Sequence, residues 1–311
     1  MITRRQFAAG TAALALAPVS GCAAFTVTRY GPIITPNMLP GNDGANINYP
    51  SLIKVPEWVA NPLGRYYLYF SSHRHARYIR LAYANEITGP WTVYAPGTLT
   101  EAQMQSVFVT APEAFVDHAV HQIRLYVQTS QSGAGRTGVA RSTDGISFTP
   151  VNTNIGEGYC RLFTRGIETF GLFGDRGVQV RRSKNGIDFE DGPSLFADAP
   201  GPYVRHVGLQ QLPNSLRVFF TQKRVAPEHI RMGLVNLDAP WTSWSIDTTV
   251  EIMRPEMAYE GAKEPITISR KGPARNKEHA LRDPFIYEES GRTWLIYAIA
   301  GESGLALAEL Q

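Results

Sequence analysis

Apolar and polar residues alternate along most of this chain in short runs closed by Gly, Pro, Asn or Asp, and no stretch keeps a helical period. Period-two runs rich in Val, Ile, Tyr, Phe and Trp read as strands, because branched and aromatic side chains pack well on a pleated surface. The runs also repeat. Arg141-Ser-Thr-Asp-Gly-Ile-Ser-Phe148 and Arg182-Ser-Lys-Asn-Gly-Ile-Asp-Phe189 lie 41 positions apart and spell the same element: a strand end, a tight turn on Asp-Gly or Asn-Gly, and a strand opening on an aromatic. Five such units can be followed. Their first strands open at Asn48–Ser51, Ala111–Ala114, Tyr159–Leu162, Val204–Val207 and Leu281–Pro284, and their second strands are Tyr66–Phe70, Ile123–Val127, Thr169–Phe173, Leu216–Phe220 and Thr293–Tyr297.

Third strands follow at Ile79–Tyr83, Thr137–Arg141, Val178–Arg181, Ile230–Leu234 and Gly304–Ala308, and outer strands begin near Trp91, Phe148, Phe189 and Trp244. The fifth unit runs out of chain before its outer strand, and Phe25–Ile34 can supply it, joining the two ends of the chain and removing an exposed edge. Four-stranded sheets with a period of about 40 to 50 residues predict an all-β fold, a five-bladed β-propeller. Between Ile252 and Ala280 the strand pattern lapses, which makes that segment a candidate wall of a binding pocket.

Composition adds an address and excludes some partners. Met1-Ile-Thr-Arg-Arg-Gln-Phe7 precedes a short apolar stretch and Val19-Ser-Gly-Cys22, the pattern of a twin-arginine export signal ending at a lipoprotein cleavage site. The expected organisation is a signal peptide over residues 1–21 and one propeller domain over 22–311, lipid-anchored at Cys22 in the periplasm or on the cell surface. Cys160 then has no partner for a disulfide and is expected as a buried apolar group. Without the leader the chain is nearly neutral, with no basic stripe for nucleic acid.

In a propeller the first strand of every unit lines the central axis, so residues far apart in sequence converge there. Here that set is Asn48, Tyr49, Glu113, Arg161, Arg205, His206, Arg282 and Asp283, a polar group that must pair internally or hold a polar ligand. At these positions the chain resembles the five-bladed carbohydrate-active propellers, the glycoside hydrolase family 43 and β-fructosidase-like superfamily. Leu281-Arg-Asp-Pro-Phe-Ile-Tyr287 resembles its Arg-Asp-Pro strand, Tyr49-Pro-Ser-Leu-Ile-Lys54 its opening Asp-Pro-Ser strand, and Ala111-Pro-Glu113 its Ala-Pro-Asp strand.

The resemblance implies a glycoside hydrolase acting on a plant or algal oligo- or polysaccharide in the axial pocket. That chemistry needs one carboxylic acid and one carboxylate. Tyr49, beside Asn48, stands where the family has its base, and Tyr159-Cys160-Arg161 where it has its acid. Asp283, Glu113 and Glu260 are therefore the candidate catalytic carboxylates, with Asn48, Arg161, Arg205, His206, Arg282 and Tyr259 holding substrate.

A second resemblance points to elimination instead. Tyr69-Phe-Ser-Ser-His-Arg-His-Ala-Arg-Tyr-Ile-Arg-Leu-Ala82, followed by Thr88-Gly-Pro-Trp-Thr-Val-Tyr-Ala-Pro-Gly97, resembles the first blade of propeller polysaccharide lyases such as the ulvan lyases, with Phe108 standing where those have a second His. It implies a uronate lyase with Tyr49 or His73 as base or acid and Arg161 on the carboxylate. A non-catalytic glycan-binding lipoprotein is the third alternative. Trp58, Tyr66, Tyr67, Tyr203 and Tyr259 are aromatic candidates for stacking on sugar. No cofactor or transition metal is expected, although an axial calcium held by Asp283 or water is allowed by analogy, and the expected molecule is a monomer whose only partners are a carbohydrate and, through its anchor, the membrane.

Overall fold

The computed structural model describes residues 25–74, 77–130, 135–175, 177–196 and 203–311. The leader of residues 1–21 and Cys22 lie outside the described residues. Five four-stranded antiparallel sheets form a five-bladed propeller, as the repeat predicts. Blade one is β2 (Asn48–Lys54), β3 (Tyr66–Ser71), β4 (Arg80–Ala84) and β5 (Thr92–Tyr94). Blade two is β6 (Val109–Asp117), β7 (Gln122–Thr129), β8 (Arg136–Ser142) and β9 (Thr149–Glu157). Blade three is β10 (Cys160–Arg165), β11 (Glu168–Phe173), β12 (Gln179–Ser183) and β13 (Glu190–Ser194). Blade four is β14 (Val204–Gln211), β15 (Ser215–Gln222), β16 (Ile230–Asn236) and β17 (Thr249–Met253). Blade five takes β18 (Arg282–Glu289), β19 (Arg292–Ala298) and β20 (Leu305–Leu310) from the end of the chain and its outer strand β1 (Val27–Ile34) from the beginning. Val27 pairs with Leu310 and Ile34 with Leu305, so the ring is closed by the two ends.

The shared octapeptides make the same turn. Gly145 and Gly186 sit at φ +74° and +73°, a conformation glycine adopts without a Cβ penalty, and the Ser142 and Ser183 hydroxyls accept their amides at 2.8 and 2.9 Å. Each turn is then tied to the preceding blade by a tyrosine: Tyr69 donates to the Gly145 carbonyl at 2.7 Å and Tyr126 to the Gly186 carbonyl at 2.9 Å. The apolar faces meet between blades in five clusters, one per interface. Tyr66 and Tyr67 belong to these clusters, at 2% and 0% exposure, so they cannot stack on sugar. One outer strand starts later than expected: Trp241–Ser243 forms a 3-10 turn, Trp244 packs in the blade-three to blade-four core, and β17 begins at Thr249.

Near the axis the first strands share a fault. Pairing skips between Asn48 and Ser51, Thr110 and Glu113, Val204 and Val207, and Arg282 and Phe285, so four blades carry a bulge at one place. Tyr49, Ala111 and Asp283 inside these bulges, and Tyr159 just before β10, have positive φ of 55°, 49°, 50° and 62°. Such a backbone costs on the order of 1 kcal/mol or more per non-glycine residue and persists where the surroundings impose it. A bulge re-aims a side chain, and here it does so at the same level around the ring.

Candidate active site at the propeller axis

Two layers of polar side chains fill the axis. The lower is a plug. Glu113 on β6 accepts Arg161 Nη1 at 2.9 Å, the Leu162 amide at 3.0 Å and the Ser51 hydroxyl at 3.3 Å. Arg161 also donates to the carbonyls of Val207, Pro112 and Pro50 at 3.0, 2.8 and 2.9 Å, and its guanidinium lies 5.2 Å from the Phe285 ring centre. One ion pair thus laces together the first strands of all five blades. Burial pushes the Glu113 carboxyl up, and Arg161, the Leu162 amide and Ser51 pull it part of the way back. Both residues are buried and fully engaged by protein groups.

The upper layer holds two chains of proton-bearing groups. In the first, the Tyr49 hydroxyl meets Nε2 of His73, in the turn after β3, while Nδ1 of His73 lies 2.7 Å from Glu302 Oε1 and 3.2 Å from the Asn48 amide. Glu302 takes further bonds from Arg282 Nη1 at 3.1 Å, Asn46 Nδ2 at 2.5 Å and the Ala274 amide at 3.2 Å. Burial alone would raise its pKa, but His73, Arg282 and Asn46 hold it far below the usual carboxylate range. The anion therefore keeps a proton on Nδ1 and turns Nε2 toward Tyr49. Burial raises Tyr49 well above an ordinary phenol, reinforced by Tyr159, Asp283 and Glu302, so it stays protonated at neutral pH.

In the second chain, His206 Nδ1 bonds Asp283 Oδ1. Burial brings His206 down to about 4, against the pull of Asp283, so the ring is neutral at pH 7 and carries its proton on Nδ1. His206 Nε2, Asp283 Oδ2 and the Asn48 oxygen are buried without a protein partner. The rings of Tyr49 and Tyr159 stand 4.4 and 4.1 Å from that of His206, and His73 lies 4.8 Å from Tyr49. Beside these, Glu228 is clamped by Arg205 Nε at 2.7 Å, Arg282 Nε at 2.8 Å and the Ser269 hydroxyl at 2.5 Å. Arg282 also donates to Glu278 at 2.7 Å. Arg282 and Asp283, adjacent in sequence, point to different partners.

The candidates thus divide. Asn48, Tyr49, His73, Arg205, His206, Arg282 and Asp283 come together at the upper axis, and Glu113 and Arg161 beneath them. Glu260 does not join: it is fully buried between the irregular segment and blade five, bonded by Arg29 at 2.9 Å, Tyr297 at 2.8 Å and the amides of Glu256 and Met257. Tyr259 packs beside it in the blade-four to blade-five core, away from the axis. The irregular segment does reach the axis, through Ser269, Ala274 and Glu278.

Three residues were missed. Glu302 and Glu228 lie in the turns between second and third strands, and so does Asp175, bonded to Lys223 at 2.6 Å. His73 occupies the same place in blade one. In a propeller those turns face the mouth alongside the first strands, and acidic residues recurring there were the available signal. Glu228 and Glu302 are held by guanidiniums, and among the described residues no three His, Cys, Asp or Glu side chains converge as metal ligands.

Beside the axial groups lies a cleft of about 410 Å³ walled by His73, Arg77, Glu101, Phe108, Thr110, Gln128 and Tyr159, and it meets the axial set at His73 and Tyr159. Its volume lies within the range of about 300 to 1,000 Å³ typical of ligand sites.

The same five-bladed architecture occurs in solved carbohydrate-active proteins. One is from the GH130 family of mannoside phosphorylases and glycoside hydrolases that target β-1,2 mannosidic linkages in Candida mannan, with TM-score 0.68, 10% identity, and 94% of this chain and 95% of that one covered. A glycosyl hydrolase from Bacteroides ovatus matches with TM-score 0.68 and 12% identity over 92% of this chain and 94% of that one. A GH43_1 enzyme from Xanthomonas citri complexed with xylose matches with TM-score 0.59 and 12% identity, over 91% and 90%. At these identities the likeness is one of fold. No protein-family model matches the chain. In sequence it is 34% identical over 300 residues to an uncharacterized protein of Acanthamoeba polyphaga mimivirus, "Uncharacterized protein R118", with 85% of this chain and 83% of that one covered. The chain belongs to the same family as that viral protein.

Proposed function

We propose that this protein is a carbohydrate-active enzyme that hydrolyses a neutral glycoside at the floor of the axial cleft. The observation that carries it is the pair of proton-bearing chains, Tyr49–His73–Glu302 and His206–Asp283, packed ring against ring beside the cleft that His73 lines. Tyr49, held neutral, gives its proton to the glycosidic oxygen as the C–O bond breaks, and the phenolate left behind takes a proton from solvent, relayed by His73 Nε2, while the proton collected by Asp283 returns to solvent. Asp283, with Oδ1 fixed by His206 and Oδ2 unpartnered, takes the proton of the water that attacks the anomeric carbon. Among the buried axial carboxylates of the described residues it alone has an oxygen free for this: Glu113, Glu228 and Glu302 are bonded at both oxygens. The glycoside hydrolases among the solved neighbours support this reading at the level of fold.

Charge supports a neutral sugar. Arg161, Arg205 and Arg282 face Glu113, Glu228, Glu278, Asp283 and Glu302, and the cleft wall adds Arg77 and Glu101, which offset each other, so this set carries an acidic surplus of two with His206 neutral. A uronate carboxylate about 5 Å from one unbalanced negative charge is opposed by on the order of 3 kcal/mol at an effective dielectric of about 20. Elimination from a uronate has one observation in its favour, since Tyr and His are suited to that chemistry and Arg77 lines the cleft. Export as a lipoprotein through Cys22 fits an enzyme that meets its polysaccharide outside the cell.

The test offers the purified protein neutral and uronic-acid polysaccharides, and records both reducing ends and the ultraviolet absorbance of unsaturated uronates. Reducing ends from a neutral glycan without absorbance are expected. Both signals together from a uronate would replace hydrolysis with elimination, and binding without either product would make the protein a glycan-binding module.

A further inference from the structure

The cleft does not end at the floor. Phe108, Gln128 and Tyr159 also wall a second depression of about 780 Å³, running outward over blades two and three past Gly158, Gly174 and Gln179. Together the two exceed the space one small ligand needs.

Phe108 and Gln128 stand at the junction, and the fold holds them there. Thr110 and Gln128 are directly opposed across β6 and β7, and Phe108, two residues before Thr110, is the diagonal neighbour of Gln128 on the same sheet face. The turn carrying Phe108 is pinned by the Ser106 hydroxyl, which donates to the carbonyls of Phe108 at 2.6 Å and Ser130 at 2.9 Å and accepts the Ser130 amide at 2.8 Å. The Gln128 amide sits between two glycines: a Cβ on Gly135 would lie 2.3 Å, and one on Gly158 2.8 Å, from its nitrogen. Two positions lacking side chains leave that amide room where the two depressions meet.

An aromatic face beside a fixed primary amide suits a sugar ring, whose C–H face stacks and whose hydroxyls both donate and accept. We infer that Phe108 and Gln128 form a second sugar subsite next to the catalytic floor, so that the substrate is a chain of several units lying across blades two and three. This rests on the hydrolase reading above and adds the length of its substrate.

The experiment is calorimetric binding of xylo-, manno- and cello-oligosaccharides, from mono- to hexasaccharide, to the intact protein and to Phe108→Ala and Gln128→Ala. Gly135→Ala is a third, independent variant that displaces Gln128 without removing it, and circular dichroism checks each fold. For the series that binds, affinity should rise with each added unit up to about the trisaccharide, and each variant should weaken trisaccharide binding about tenfold while leaving the monosaccharide unchanged. Wild-type affinity independent of chain length, or variants that bind the trisaccharide as wild type does, overturns the subsite and leaves hydrolysis at the floor standing. If no sugar in any series binds and none is cleaved, the subsite and the hydrolase reading fall together.

Discussion

Glu302, in the last blade, lies 2.7 Å from Nδ1 of His73, in the first. The contact crosses the seam where the ring closes, so the orientation of the histidine depends on the end strands being paired. Glu302→Gln keeps the shape but removes the charge that fixes the tautomer and balances Arg282. The expected result is a loss of stability of about 3 kcal/mol, as for other broken buried ion pairs, and a fall in turnover of at least tenfold. Denaturant unfolding and reducing-end assays measure the two separately.

The Glu113–Arg161 plug makes a contrasting prediction. Arg161→Met leaves a buried carboxylate without its cation and should cost about 3 to 5 kcal/mol. Adding Glu113→Gln should recover much of that loss, because the uncompensated charge is gone. Chemical denaturation of both single variants and the double variant tests it, and equal stabilities for Arg161→Met and the double variant would count against the plug.

His206 gives a pH signature. Its ordinary value of 6.5 is brought to about 4 by burial, so between those limits the unfolded chain binds a proton that the native one does not. His206 should therefore add stability as pH rises from about 4 to about 6.5, by on the order of 3 kcal/mol in total, partly opposed by Glu113, whose raised carboxyl loses its contribution as pH rises above the ordinary carboxylate range. Glu302, Glu228 and Asp283, whose folded values are depressed, add their losses only as pH falls below the ordinary carboxylate range. His206→Asn should flatten the profile between pH 5 and 6.5, read from urea midpoints at each pH.

Tyr69 and Tyr126 hold equivalent turns in successive blades, at 2.7 and 2.9 Å. Tyr69→Phe and Tyr126→Phe should each cost about 1 to 3 kcal/mol, the range for a buried carbonyl left unsatisfied, and by similar amounts. Thermal unfolding of the two variants checks whether the repeat is energetic as well as geometric.

What could be read from the sequence follows from where the repeat is strong. Inner and middle strands are aromatic, alternating and closed by Asp-Gly or Asn-Gly, so their positions, the ring and its closure by Phe25–Ile34 were legible. Trp244 misled because an aromatic near the expected place packs into the core from a turn. At the axis, residues on first strands were legible because bulges recur at one position. Glu302 and Glu228 were not, since the turns between second and third strands carry no periodicity and only the ring brings them inward. Glu260 was misplaced for the opposite reason: the irregular segment passes the axis through Ser269 and Glu278, while Glu260, nearer its start, is drawn outward by Arg29 and Tyr297. That Arg161 spans the channel as a structural tie depends on backbone carbonyls of three other blades.

The most direct test is the rate at which Tyr49→Phe releases reducing ends from the neutral glycan that the wild-type protein cleaves, with the fold checked by its unfolding midpoint. Loss of the phenolic proton at the floor should lower turnover by about a hundredfold or more while substrate binding is largely retained. Turnover equal to wild type would contradict proton transfer from Tyr49 and, with it, the placement of the chemistry at the propeller axis.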